Sequence, residues 1–242
     1  MSNVIEIGWV LDKSSENYYF HDYRKKESMK TLFPYEGKEN MPGFYRCPPV
    51  AEYYKNCFGY YAISDVNVFV ENKNFHFLEG HKHSIPESEG EIQIDKVFAH
   101  GNHSFEFLLP DEIFISDIPN ISVEILPHPF AKYKNVIHSK LDIYKWFRSL
   151  HVPYYYDNSM FHYQVNVGEP LCLIKFNTPN NELVKLVELD WNKVGKYINP
   201  RNSVQNAYGN KDIVSIKKWL KYFDIFAEKR PKNLIDYARI DK

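Results

Sequence analysis

The chain has 242 residues, 44% of them hydrophobic and 25% charged, a balance that one buried core can organise and that excludes disordered and membrane-embedded classes. Its 30 lysines and arginines against 31 acidic residues leave a formal net charge of −1, so no global field draws it to nucleic acid or to anionic lipid. No apolar run reaches about 18 residues, and residues 1–12 lack a basic region followed by an apolar stretch; the expectation is a cytoplasmic protein with no membrane span and no signal peptide.

The opening stretch from Asn3 to Leu11 alternates weakly and is read as a strand. Residues 12–46 are polar, basic in the middle and without sustained periodicity, and are read as a long surface excursion. From Cys47 a short helix is expected: Pro48 and Pro49 suit a first turn, Val50, Tyr53, Tyr54 and Cys57 share a helical face, and Gly59 ends it. Tyr60 to Val70 is rich in β-branched and aromatic residues, and Glu71-Asn72-Lys73-Asn74 separates it from Phe75 to Leu78, which reads as a hairpin.

Glu79 to Gly90 is too polar and too punctuated for a strand and is read as a loop. Four strands are expected next, at Ile92 to Phe98, Ser104 to Leu109, Glu112 to Ser116 and Ile121 to Leu126, each bounded by Gly, Pro, Asn or Asp. Leu141, Tyr144 and Phe147 have helical spacing, with Ser139 and Asp142 placed as a capping box, so Ser139 to Ser149 reads as a short helix. Phe161 to Val167 and Leu171 to Phe176 flank the turn signal Gly168-Glu169-Pro170, and Leu183 to Leu189 adds another strand. The clearest helix lies within residues 211–230, where Ile213, Ile216, Leu220, Phe223 and Ala227 make one stripe and Pro231 stops it. The chain has no internal repeat and no low-complexity tract.

Strands at spacings near ten residues with turns between them indicate antiparallel pairing. The fold class expected is therefore mainly β, a β-rich α+β arrangement: one domain over residues 1–242, an antiparallel sandwich or distorted barrel with a C-terminal amphipathic helix packed on it. Its 17% aromatic content, with 19 Tyr, 17 Phe and 4 Trp, supplies large flat side chains for the core and for partner-facing surfaces. Cys47, Cys57 and Cys172 are odd in number and not at motif spacing, which argues against a disulfide framework or a four-cysteine zinc site and reads as buried thiols.

Charge is uneven. Acidic residues from Glu79 to Glu124 far outnumber Lys82 and Lys96, and His81, His83, His100 and His103 fall in that segment. Imidazole and carboxylate together suit Fe(II), Mn(II) or Zn(II), and alternate residues on a strand share a face. His81-Lys82-His83 followed after three residues by Glu87 resembles the first motif of the cupin family, which implies a mononuclear metal site in a β-barrel. The second cupin motif is not matched; His100, His103, His138, His151 or His162 would have to complete the ligand set. There is no His-x-Asp or His-x-Glu for an iron oxygenase, no Gly-x-Ser-x-Gly, no phosphate-binding loop, no Gly-x-Gly-x-x-Gly and no His-Glu-x-x-His. Cysteine–histidine catalysis has no local signature here. Lys132, Tyr133, Lys134, Lys140, Tyr144, Lys145, Trp146 and Arg148 interleave base and ring, a composition that suits single-stranded nucleic acid and equally a solvated face.

The stretch from Cys47-Pro48-Pro49 through Gly59-Tyr60 to Asp65-Val66-Asn67-Val68, with the later run Phe161 to Leu171, resembles uncharacterised β-rich proteins of phages and bacteria. The resemblance implies a β-rich fold, a place in the host-cell cytoplasm if phage-encoded, and no known activity. Two readings of function follow. The first is a binding or structural module with an aromatic-lined face for a protein or small ligand; the second is a cupin-like metal-dependent enzyme using His81, His83, Glu87, His100 and His103. A membrane partner is not expected, and nucleic acid ranks third.

Overall fold

The computed structural model describes residues 4–11, 29–31, 47–62, 66–71, 74–77, 97–100, 104–107, 112–146, 150, 152–156, 160–166, 168–197 and 228–240. Period-two patterning divides the first strand, β1 (Val4–Leu11), between two cores: Ile5 and Ile7 are buried on one side with Trp9 packed beside them, and Val10 on the other. The chain continues through β2 (Met29–Thr31), helix α1 (Pro48–Tyr53), β3 (Cys57–Tyr61), β4 (Val66–Glu71), β5 (Asn74–Phe77), β6 (Val97–His100) and β7 (Ser104–Phe107). Then come β8 (Glu112–Ile115), β9 (Ser122–Pro127), β10 (Ser139–Asp142), β11 (Val152–Tyr155), β12 (Met160–Val165), β13 (Pro170–Asn177) and β14 (Leu183–Glu188). A helix α2 at 191–197 and a helix α3 (Leu234–Ala238) follow.

These strands make a five-stranded sheet in the order β10-β9-β13-β3-β2 and three-stranded sheets β14-β1-β8, β11-β7-β6 and β12-β4-β5, none closed into a barrel among the described residues. The protein is thus mainly β, as its patterning implies. The inner face of the five-stranded sheet carries Phe58, Tyr60, Val123, Ile125, Cys172, Ile174 and Phe176, buried together with Ile5, Ile7 and Phe114 of the β14-β1-β8 sheet. On the far side of that second sheet, Val10, Ile113, Ile115, Val187 and Leu189 pack against Val194 of α2 and Leu234, Ile235 and Ala238 of α3. Sheet, sheet and helices form three layers, and each fully buried Ile or Phe contributes roughly 1.5–3 kcal/mol to holding them. Gly8 makes room for the Leu189 side chain and, more loosely, for α3: a Cβ there would stand 2.5 Å from Leu189 Cδ1 and 3.3 Å from Ile235 Cγ1.

Several expectations are corrected. The helix begun at Pro48 ends at Tyr53, because Asn56 adopts φ 59° and turns the chain into β3; Gly59 lies inside that strand instead of ending the helix. Asn56 fixes the corner with its side chain, Nδ2 donating to Glu182 O at 2.7 Å and Oδ1 accepting from Val184 N at 2.9 Å. Ser139–Asp142 is a strand, not the start of a helix: it pairs with β9, Lys140 lies 3.3 Å from Glu124, and Leu141 packs on the core. Asp142 caps only a turn, accepting from Tyr144 N at 2.9 Å. The excursion at 12–46 contains β2, which pairs with β3 and joins the five-stranded sheet. Among the described residues pairing is antiparallel except between β1 and β14, which run parallel from Val4↔Leu183 to Trp9↔Glu188. The hairpin expected around Asn72 is present as β4–β5, with Glu71 opposite Asn74, but its first arm, expected to run from Tyr60 to Val70, is divided between β3 in the five-stranded sheet and β4 in the β12-β4-β5 sheet.

Most of the long C-terminal helix expected at 211–230 falls outside the described residues. Its last two described residues, 228 and 229, are helical and the chain bends at Arg230 before Pro231, where proline's missing N–H and fixed φ end a helix.

Candidate binding site

The outer face of the five-stranded sheet meets an aromatic corner at the end of β9. Alternation along β3 turns Phe58 and Tyr60 inward and Cys57, Gly59 and Tyr61 outward. The Tyr61 ring lies back over Gly59, where a Cβ would sit 2.8 Å from Tyr61 Cε2, so the ring fills the space that a side chain would take. Beyond Pro127 the chain turns through His128, Pro129, Phe130 and Ala131, with Ala131 N donating to His128 O at 3.1 Å. Proline at the second position of such a turn sets its φ in advance.

His128 is 1% exposed, its ring edge-on to Tyr61 with centroids 5.7 Å apart and tilted against Phe130 at 5.8 Å. Phe130 itself is 61% exposed. Phe130 N donates to His128 Nδ1 at 3.1 Å, so the neutral imidazole carries its proton on Nε2. That Nε2 is buried and has no hydrogen-bond partner among the described residues. Burial pulls the His128 pKa down to about 4, and the ring is neutral at pH 7. The corner therefore holds a neutral, buried imidazole in contact with two rings, one of them largely in solvent. His128 is absent from the candidates read in the sequence; the signal that marks it is the pair of prolines, Pro127 and Pro129, around a histidine at a strand end.

The ring-and-lysine segment after this turn uses its side chains internally. Tyr133 stacks on Tyr163 at 4.4 Å, and Tyr163 meets Tyr154 edge-on at 5.1 Å. Tyr133 Oη accepts from Gln164 N at 2.9 Å and donates to His162 O at 3.1 Å, while Lys132 Nζ donates to Gln164 O at 3.2 Å. Tyr144 carries Arg230 over its ring at 4.1 Å. Burial raises the pKa of both Tyr154 and Tyr163 and keeps their hydroxyls protonated. Lys132 and Tyr133 thus dock the segment on β12, and Lys140 pairs with Glu124 of β9.

Of the metal-ligand candidates, His81, His83, Glu87 and His103 lie outside the described residues, as does His151. His100 is placed in β6 opposite Ser104, its side chain outside the description. Among the described residues no three His, Cys, Asp or Glu side chains group to hold a metal ion; His162 Nε2 lies 2.5 Å from Asn67 Oδ1. Cys57 and Cys172 are buried as expected, and burial pushes the Cys57 thiol up to about 12 and that of Cys172 higher than usual as well. Cys47 departs from the expectation and is exposed, since it precedes α1 at a bend outside the sheet. Among the described residues no helix is long and apolar enough to cross a membrane. No family model, no curated protein and no solved structure matches this chain.

Proposed function

We propose that this protein is a non-enzymatic binding module, of the phage and bacterial kind its sequence resembles, that works in the cytoplasm and takes a protein or small ligand at the corner of Tyr61, His128 and Phe130. The observation that carries the reading is Phe130, left 61% exposed and held against the buried His128 ring. A large exposed ring fixed on a buried support gives a ligand apolar surface to cover. The alternative, a cupin-like enzyme built on His81, His83 and Glu87, has no described observation in its favour.

Ligand-observed NMR tests the proposal on the folded chain with phenol, indole and benzamide as probes. Saturation transfer to these probes is expected for the wild type and should be lost in Phe130→Ala, a surface change that leaves the core intact. Self-association that Phe130→Ala dissolves, read by light scattering, would assign the corner to a protein ligand. A wild type that is monomeric and silent to every probe would sink the reading, as would transfer that Phe130→Ala leaves unchanged.

A further inference from the structure

We infer that residues 238–240 and the Asn56 side chain together seal the outer edge of β14 against a second copy of this chain. Among the described residues β14 ends its sheet, in the order β14-β1-β8. Leu189 N donates to Trp9 O at 2.9 Å, so by strand alternation the main-chain groups of residues 183, 185, 187 and 189 face β1 and those of 182, 184, 186, 188 and 190 face outward. Asn56 holds the first end of that edge, donating to Glu182 O at 2.7 Å and accepting from Val184 N at 2.9 Å. Residues 238–240 hold the other: Ala238 O accepts from Asp190 N at 2.7 Å, Ile240 N donates to Glu188 O at 3.1 Å, and Arg239 stands opposite Leu189. The Arg239 guanidinium ties this strap across β14 to Glu6 of β1, a carboxylate that also meets Lys185 Nζ at 3.1 Å. Only Leu186 lies between the two clamps, too short a stretch to seat another strand. The clamps fall where a second β14 would bind. A two-fold antiparallel pair centred on Leu186 sets Leu186 against Leu186, Val184 against Glu188 and Leu183 against Leu189, with apolar contacts and no like charges opposed. Its hydrogen-bonded pairs use the outward groups of residues 184, 186 and 188, and Asn56 and Ile240 hold groups at both ends of that set. Each 184/188 pair meets the Asn56 of one copy and the strap of the other, so opening one kind of clamp leaves both pairs blocked.

Sedimentation velocity over a concentration series tests this on four chains, all carrying Phe130→Ala so that the aromatic corner adds nothing. The first has no other change, the second has Asn56→Gly, the third lacks residues 239–242, and the fourth combines the two openings. Asn56→Gly lifts the first clamp while easing the backbone at φ 59°. The doubly opened chain is expected to dimerise at least about tenfold more tightly than either singly opened one, with the Leu186 amide exchanging more slowly as concentration rises. Glu6→Lys, which sets repulsion against Arg239 and Lys185, opens the strap without deletion and replaces the truncation if the shortened chain fails a circular dichroism check of folding. A folded double variant no more associated than the first chain would overturn the inference. So would a single opening that dimerises as tightly as the double one, or dimers in which Leu186 exchange does not slow. None of these outcomes bears on the aromatic corner, which the small-molecule probes test separately.

Discussion

Asp117 caps helix α3 from across the fold: its Oδ2 accepts from Ile235 N at 2.9 Å, and its Oδ1 accepts from Leu234 N at 3.1 Å. The cap residue in the chain, Asn233, makes no such bond. A loop that follows β8 therefore supplies what the helix lacks locally, although burial raises the Asp117 pKa against the effect of these bonds. Leu234 and Ile235 are themselves core residues, so the cap also holds the outer layer on the sheet. Asp117→Ala should cost about 1–2 kcal/mol of stability. Asp117→Asn, which keeps one acceptor oxygen, should cost less; equal losses in denaturant titration would show that the two accepted bonds do not hold α3.

Asn56 stabilises its corner in two ways that substitution can separate. Asn56→Gly removes both side-chain bonds while easing the backbone at φ 59°. Asn56→Ala removes the bonds and keeps a Cβ in a left-handed conformation, which adds about 1 kcal/mol. Equilibrium unfolding should rank wild type above Gly and Gly above Ala, with Ala about 2–3 kcal/mol below wild type. An alanine variant as stable as the glycine one would contradict the strain argument.

Gly8 lies beneath the side chains of Leu189 and, on α3, Ile235. Gly8→Ala places a methyl against Leu189 and Ile235 and should destabilise by about 1–3 kcal/mol through overpacking. Amide exchange should quicken at 234–238 more than in the five-stranded sheet. Pairing it with Leu189→Val, which withdraws the nearest atoms, should recover part of the loss, and no recovery would locate the strain elsewhere.

His128 gives stability a pH dependence of definite sign. Its pKa in the folded protein is about 4 against an ordinary 6.5, so the unfolded chain takes up the proton first. The contribution of His128 is complete above pH 6.5, is lost as pH falls from 6.5 to about 4, and changes no further below that. The gap corresponds to about 3 kcal/mol. His128→Gln should flatten the stability profile across that window while leaving the acid limb below pH 4 in place, a comparison that chemical denaturation at stepped pH provides.

How much of this was legible beforehand differs by element. The alternation of Ile5, Ile7 and Trp9, and the β-rich runs that became β8, β9, β12, β13 and β14, were readable because each strand buries one face and its own residues record that. Ser139–Asp142 misled because helical spacing over three residues is weak next to a ladder with β9 and an ion pair from Lys140 to Glu124. The strand β11 was missed because Pro153 argues against a strand interior, yet it pairs with β7. Gly59 is the residue the sequence offers to end α1, yet the turn is made at Asn56, one of the few side chains that tolerate a left-handed conformation.

By itself the amino-acid sequence determined the β-rich class, most strand positions, the burial of Cys57 and Cys172 though not the exposure of Cys47, and the aromatic richness, because hydrophobic period and turn chemistry act over a few neighbouring residues. Only the tertiary structure decided that β1 and β14 run parallel, that Asp117 caps a helix more than a hundred residues away, and that the Tyr61 ring meets His128. Each of those depends on residues distant in the chain meeting after the sheets have packed, and no local pattern encodes which distant partner a side chain will find.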